Sequence, residues 1–130
     1  MTAQDIPGNL RYTTEHEWIS RDGEKATVGI TAFAVGALGD VVFVLLPDVG
    51  EQVQAGLPCG ELESTKAVSD LFAPVSGDVN EANGELGANP ELVNSDPYGG
   101  GWMIKVGLTD PSQIDGLLDA TAYDALIAAG

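Results

Sequence analysis

One lysine is the residue of this chain best suited to chemistry. The stretch from Glu61 to Asp70 reads ELESTKAVSD and places Lys66 between two short alternating runs. The chain has only 5 Lys and Arg against 20 Asp and Glu, so a basic residue at this position is unusual for the chain. The flanking runs predict a hairpin that holds Lys66 at its tip, in water. A rigidly presented, exposed amine suits enzymatic acylation, although a lysine in a turn is usually only solvated.

The other chemically versatile residues are isolated from one another. Cys59 is the single cysteine and His16 the single histidine, and they match no metal-ligand spacing. One cysteine cannot form an intrachain disulfide, which is compatible with a reducing compartment. Cys59 is therefore interpreted as a small buried apolar residue. Since no nucleophile–base pair or phosphate-binding loop is evident, the sequence does not predict an enzyme active site.

Length and charge restrict the classes of function. The 130 residues predict a single domain over 1–130, with a β body over about 10–108 and a helical tail over about 110–129. A formal net charge of −15 repels phosphate backbones, so we expect no nucleic-acid binding and favour partners with basic docking surfaces. The run VVFVLLP is too short to span a bilayer, and the start of the chain shows no targeting pattern. We therefore expect a cytoplasmic protein without a membrane partner.

The first half of the chain reads as strands and turns around one short helix. The stretch HEWISRDGEKATVGI predicts a hairpin that turns at RDG. TAFAVGAL predicts a short helix near 31–38 with Thr31 as its N-cap. DVVFVLLP is interpreted as a buried strand that ends at Pro47.

A weak internal repeat surrounds the lysine. VGEQV (49–53) resembles VSGDV (75–79), and this predicts a pseudo-twofold β structure with Lys66 at a central hairpin. NPELVN suggests a short helical piece, DPYGGG a loop and WMIKVGL a further strand. Asp110 and Pro111 then predict the start of C-terminal helices that pack on the β body. The predicted class is mainly β, a sandwich or flattened barrel of short antiparallel strands.

Several segments together resemble the glycine cleavage system H protein family of lipoyl carriers. They are EHEW, VGIT, ALGDVVFVLLPDVG, ESTKAVSDLFAPVSGDV, NPELVNSDPYGGGW and LLDATAYDAL, and they cover nearly the whole chain. The resemblance implies a lipoyl-domain-like fold with lipoate attached covalently to Lys66. It also implies that a lipoate-attaching enzyme reads Glu63 and Gly77, although a glycine at 77 could instead serve a turn with positive φ.

The resemblance further implies a carrier that performs no catalysis itself. Such a carrier takes an aminomethyl group from a pyridoxal-phosphate glycine decarboxylase to a tetrahydrofolate-dependent aminomethyltransferase. An FAD-dependent dihydrolipoyl dehydrogenase then reoxidises the lipoyl dithiol. The family is thought to fold its loaded arm back on the protein, at positions that correspond here to Glu15, Glu17 and Asp70. Carboxylates suit an ammonium group, but each of the three could equally be an ordinary surface acid. His16 and Trp18 are interpreted as structural.

Two alternatives remain open at this stage, and a third, a biotin carrier, is disfavoured. A biotin carrier shares the topology, but its lysine typically lies between methionines, whereas Lys66 lies between Thr65 and Ala67. A lipoyl domain of a 2-oxo-acid dehydrogenase complex would share the hairpin but not EHEW, NPELVNSDPYGGGW or the tail. A paralogue that relays lipoyl groups, or one that is never lipoylated, is also compatible with the sequence.

Overall fold

The computed structural model describes residues 6–129, so the chain start that was searched for a targeting pattern lies partly outside the described residues. Within this range the strands are β1 (Arg11–Tyr12), β2 (Glu17–Asp22), β3 (Lys25–Ile30), β4 (Val41–Leu45), β5 (Gln52–Val53), β6 (Pro58–Ser64), β7 (Val68–Phe72), β8 (Gly77–Ala82) and β9 (Ile104–Leu108). The helices are α1 (Ala32–Leu38), α2 (Glu85–Ala88), α3 (Leu92–Ser95), a 3₁₀ helix (Pro111–Gly116) and α4 (Ala120–Ala129).

The strands form two antiparallel sheets, which confirms the predicted mainly β class. The larger sheet has the order β1-β2-β3-β9-β8-β5, and the smaller has the order β4-β6-β7. The predicted hairpin is β2–β3, and it turns through Gly23, which has a φ of 66°. The smaller sheet contains the lysine hairpin, β6–β7, at its centre and one edge.

The two halves of the weak repeat pair with each other. β5, from VGEQV, lies antiparallel to β8, from VSGDV, with Val53 opposite Gly77. This contact brings together the chain before and after the lysine hairpin. The repeat was therefore a correct signal for a central hairpin between paired strands.

Helix α1 forms where TAFAVGAL predicted it. The side chain of Thr31 accepts a hydrogen bond from the Ala34 amide, so it is the N-cap. The helix ends at Gly39, which has a φ of 82° and therefore suits glycine. Leu38 anchors the last turn in the core that α1 and α3 form with the inner face of the smaller sheet. The buried members of this core include Ile30, Leu38, Leu62, Leu71 and Val93.

The prediction that DVVFVLLP is a buried strand was wrong. It does form β4, but Val42, Phe43 and Leu45 are each about half exposed, at 53%, 49% and 51%. The smaller sheet has a core on one face only, so a strand rich in apolar residues can still present half of them to solvent. Apolar composition predicted the strand correctly but could not predict its burial.

The tail packs on the start of the larger sheet. Asp110 caps the 3₁₀ helix by accepting from the Ser112 amide, as predicted for a helix start at Asp110–Pro111. In α4, Tyr123 is fully buried and stacks on Tyr12 with ring centroids 4.6 Å apart. Trp18 belongs to the same buried cluster, consistent with a structural role.

No helix among the described residues is long and apolar enough to cross a membrane.

Candidate functional site

Lys66 lies at the tip of the β6–β7 hairpin. Ser64 closes the turn, because its amide donates to the Ala67 carbonyl at 2.8 Å and its hydroxyl accepts from the Ala67 amide at 3.0 Å. The Lys66 amide lies 3.3 Å from the same hydroxyl. One serine therefore orders the backbone on both sides of the lysine, while the Lys66 side chain is exposed.

The segment that follows α1 supports this tip from outside the hairpin. The Thr65 amide donates to the Asp40 carbonyl at 3.0 Å. A Cβ placed on Gly39 would lie 3.4 Å from Lys66 Cε, so the methylenes of the lysine run across this glycine. Among the described residues the only ion pair joins Lys105 and Glu81 at 3.8 Å, so the Lys66 ammonium is available for modification.

A groove of about 160 Å³ is lined by residues of both sheets and of α1, among them Leu38, the residue before Gly39. Its apolar wall comes from β3, α1 and β6 and consists of Ile30, Ala34, Ala37, Leu38 and Leu62. Its polar wall comes from the loop before β2, from the first residue of β2 and from β7, and consists of Glu15, His16, Glu17, Ser69 and Asp70. The structure thus brings Glu15, Glu17 and Asp70 together in one groove.

Glu17 is not the surface acid that was the alternative interpretation. It is 1% exposed, and its carboxylate accepts from Thr13 Oγ1 at 2.6 Å and from the Phe72 amide at 3.4 Å. Burial raises the pKa of the Glu17 carboxyl to about 7, and the hydrogen bonds from Thr13 and Phe72 oppose that rise. Glu17 also lines a larger cavity of about 620 Å³, but that cavity contains no residue of the hairpin tip.

The other polar residues of the groove differ in exposure. Glu15 and Asp70 are exposed, and Asp70 lies opposite Glu61 in the β6–β7 ladder. His16 has a φ of 72°, and its Nδ1 is hydrogen-bonded with the Tyr123 hydroxyl at 2.8 Å. Burial lowers the pKa of His16, with Glu15 opposing the effect. His16 thus joins the loop before β2 to the tail, as expected of a structural residue.

Glu63 and Gly77 lie in different sheets. Glu63 is half-buried in β6, opposite Val68, close to the hairpin tip. Gly77 is buried at the start of β8, and the expectation of a turn with positive φ is wrong, because its φ lies outside that region. A Cβ on Gly77 would overlap the Gly107 carbonyl and lie 2.6 Å from Val106 Cγ1. Close packing against β9 is therefore sufficient reason for glycine at 77.

Several residues that shape the site were missed from the sequence. Ser64 is a turn-closing serine within the quoted stretch, so its position before the lysine was a usable signal. Gly39 follows a predicted helix and could have been read as its C-cap. Asn94 gave no such signal, because its partners Gly39 and Val41 lie more than fifty residues away. Thr13 was missed although its partner Glu17 is only four residues along the chain.

Cys59, the remaining chemically versatile residue, does not line this groove. Cys59 packs against two hydrophobic clusters, and burial raises the pKa of its thiol to about 11, so it matches the predicted small apolar residue. Among the described residues no group of three or more His, Cys, Asp and Glu side chains is placed to hold a metal ion.

Two antiparallel sheets that present an exposed lysine on a hairpin define the class of small β carrier domains. Within that class, residues 10–129 match the family model described as "Glycine cleavage H-protein". The chain belongs to the glycine cleavage H-protein family.

Individual relatives agree with this assignment. A glycine cleavage system H protein from Beutenbergia cavernae is 60% identical over 121 residues, which cover 93% of this chain and 95% of that one. One from Brevibacillus brevis is 54% identical over 123 residues, which cover 95% and 98%. A crystal structure of the H protein from Mycobacterium marinum superposes with a TM-score of 0.88 at 47% identity, covering 95% of this chain and 99% of that one.

Proposed function

We propose that the chain is the lipoyl-bearing carrier of a glycine cleavage system and that Lys66 is the attachment site. The observation that carries this proposal is the exposed amine of Lys66 at a braced hairpin tip in a member of the H-protein family. The lipoate-attaching enzyme would activate the lipoate carboxyl with ATP, and the deprotonated Lys66 Nζ would then displace the activating phosphate-linked group to form an amide, which carries no charge. A lipoyl group on Lys66 would supply a disulfide as the acceptor for the aminomethyl group, and the FAD-dependent dihydrolipoyl dehydrogenase would be the oxidant that restores this disulfide.

The groove suits a long, partly apolar arm attached at Lys66. Ile30, Leu38 and Leu62 give the groove an apolar wall that suits methylenes and a sulfur ring. Glu17 supplies a buried carboxyl group in this groove, which suits the ammonium of the aminomethyl cargo, and Asp70 borders the groove from β7. The chain's own contribution is to hold, orient and shelter the arm, with no catalytic residue.

The proposed partners are the enzymes that process this arm. They are a pyridoxal-phosphate glycine decarboxylase, a tetrahydrofolate-dependent aminomethyltransferase, an FAD-dependent dihydrolipoyl dehydrogenase and a lipoate-attaching enzyme. Tethering raises the effective concentration of the arm at each of their active sites. We also assign Glu63 to the approach of the lipoate-attaching enzyme, since it lies on β6 three residues before Lys66, which is in the turn that follows this strand.

The face of the smaller sheet opposite its core, here called the outer face, supports docking of such partners beside Lys66. Its side chains form two cross-strand rows: Phe43, Glu63 and Val68, followed by Leu45, Glu61 and Asp70. Apolar groups thus alternate with acids next to the hairpin tip. A partner with basic residues around an apolar centre is complementary to this pattern.

The test of attachment is the variant Lys66→Ala, with Lys25→Ala as a matched control on the exposed start of β3. Both proteins are incubated with lipoate, ATP and a lipoate ligase, and intact mass is measured before and after. We expect the lipoyl mass increase in the wild type and Lys25→Ala and none in folded Lys66→Ala.

Glycine exchange with the partner enzymes separates the alternatives. A lipoylated wild type that supports exchange is a glycine-cleavage carrier, whereas a lipoylated protein that does not is a relay protein or serves another complex. Lipoylation of Lys66→Ala at Lys25 or Lys105 would contradict the assignment of Lys66.

A further inference from the structure

We infer that Asn94 is a positioning residue for Lys66, although it contacts neither the lysine nor the groove. Asn94 belongs to α3, a single helical turn whose neighbouring residue Val93 is fully buried in the core beneath the smaller sheet. This burial fixes the backbone from which the Asn94 side chain projects. The inference rests on the proposed attachment at Lys66.

The Asn94 amide holds the backbone on both sides of Asp40. Its Nδ2 donates to the Gly39 carbonyl at 2.8 Å, and its Oδ1 accepts from the Val41 amide at 2.9 Å. A single planar group with a donor and an acceptor therefore holds the two consecutive peptide groups that flank Asp40. The clamp uses both functions of the amide, so neither a carboxylate nor a hydroxyl can replace it fully.

The clamped segment is also what braces the hairpin tip. The Asp40 carbonyl accepts from the Thr65 amide at 3.0 Å, immediately before Lys66. Val41 pairs with Ser64, the residue that closes the turn. The Lys66 methylenes run across Gly39, at ordinary van der Waals distance from the place a Cβ would occupy.

These contacts form one continuous path from the core to the lysine. It runs from buried Val93 to Asn94, through the peptide groups around Asp40, to Thr65 and Lys66. Without the clamp, the segment after α1 becomes more mobile, and the hydrogen bond from the Thr65 amide to the Asp40 carbonyl weakens. The turn that Ser64 closes is unaffected. The amine then keeps its reactivity but is presented less rigidly, so an enzyme that modifies it binds it more weakly.

The test compares Asn94→Asp with Asn83→Asp. Asn83 is the matched control because its Nδ2 also donates to backbone carbonyls, those of Gly100 and Trp102, while its Oδ1 accepts from the Glu85 amide. Both substitutions keep an acceptor and remove a donor. Lipoate ligase kinetics with lipoate and ATP, and amide hydrogen exchange, are measured on both folded proteins and the wild type.

For Asn94→Asp we expect the KM for the carrier to rise about fivefold with kcat unchanged, the factor for one ordinary hydrogen bond. We also expect the Thr65 amide to exchange faster than any global loss of stability explains. Asn83→Asp should keep the wild-type KM and Thr65 exchange after correction for global stability. The Thr65 readout needs no lipoate, so it tests the clamp even if Lys66 is not the attachment site.

A folded Asn94→Asp protein with the wild-type KM, or with the wild-type Thr65 exchange, overturns the inference. Equal changes in Asn83→Asp overturn it too, since the effect would then be global. If Asn94→Asp does not fold, Asn94→Ser provides the same comparison, because its hydroxyl is too short to span both peptide groups. Absence of lipoylation in the wild type would instead refute the proposed function and leave the Thr65 result valid.

Discussion

Glu17 is a carboxylic acid placed where burial opposes its ionisation. Burial raises its pKa from the ordinary 4.5 to about 7, so the folded protein retains a proton that the unfolded chain releases above pH 4.5. Its contribution to stability is therefore full below about pH 4.5 and is lost as pH rises through about 7.

The variant Glu17→Gln cannot titrate at this position and should lack this pH dependence. We expect the free energy of unfolding of the wild type, relative to the variant, to fall by about 3 kcal/mol at most between pH 4.5 and 8. Urea unfolding across that range measures it, with exposed Glu24→Gln as the control that keeps the wild-type slope. A constant difference between wild type and Glu17→Gln would mean that Glu17 has no raised pKa.

Gly77 allows a test of close packing between β8 and β9. A Cβ at this position overlaps the β9 backbone, so Gly77→Ala should destabilise the fold by about 1–3 kcal/mol. Gly87→Ala is the control, because nothing lies within 4 Å of a Cβ placed there. Thermal unfolding is measured beside the lipoylation rate. Slow lipoylation of a Gly77→Ala protein with wild-type stability would show that the attaching enzyme reads Gly77 directly, contrary to a purely packing role.

At the scale of single residues, the sequence predicted which residue bears the chemistry better than it predicted burial and hydrogen-bond partners. Lys66 was found because its charge is rare in the chain and its flanks alternate, both of which are local properties. The burial of Glu17 was not predictable, since it depends on Phe72 and on strands that are distant in sequence. The same holds for Asn94, whose partners Gly39 and Val41 lie more than fifty residues away.

At the scale of elements, the groove is assembled from α1, the loop before β2 and the edge strand β7. Helix α1 was predictable because Thr31 caps it locally, and the β6–β7 hairpin because its strands are adjacent in sequence. The exposure of β4 was not predictable, because apolar composition does not specify which face of a sheet packs against the core. The groove itself follows only from how these elements pack.

If this groove shelters the loaded arm, Glu17→Gln and Asp70→Asn should each hasten loss of the aminomethyl cargo. Both keep the shape of the side chain and replace its carboxyl group with an amide, which cannot ionise. An exposed pair at Asp70 is worth about 0–1 kcal/mol, whereas the buried Glu17 can contribute more, and about 1.4 kcal/mol changes the docked population tenfold. We therefore expect the larger effect from Glu17→Gln.

A release time course on purified loaded protein, without the transferase, measures this effect. Asp78→Asn is the control, since Asp78 is an exposed acid on β8 and does not line the groove. All variants should remain lipoylated. Equal release rates in the wild type and both groove variants would show that neither acid holds the arm.

At the scale of the whole molecule, the charge of −15 and the outer face act on partners in different ways. Long-range attraction to a basic partner depends on net charge and is screened by salt, with a Debye length of about 10 Å at 0.1 M and about 3 Å at 1 M. The apolar side chains of the outer face act only at contact, through burial, and salt does not screen them. The two contributions are therefore separable by ionic strength.

We predict that the KM of the lipoate ligase for this carrier rises as salt increases from 0.05 to 0.5 M at constant kcat, because charge steers association more than it alters chemistry.

Phe43→Ser should raise KM by a similar factor at every salt concentration, since it removes contact area next to the hairpin tip. Leu57→Ser is the matched control: Leu57 is 51% exposed but precedes β6, at the end of the hairpin away from Lys66. A KM independent of salt would contradict steering by net charge. A Phe43→Ser protein with the wild-type KM would remove the outer face from the docking surface, and partner contacts would then be confined to the hairpin tip and the groove.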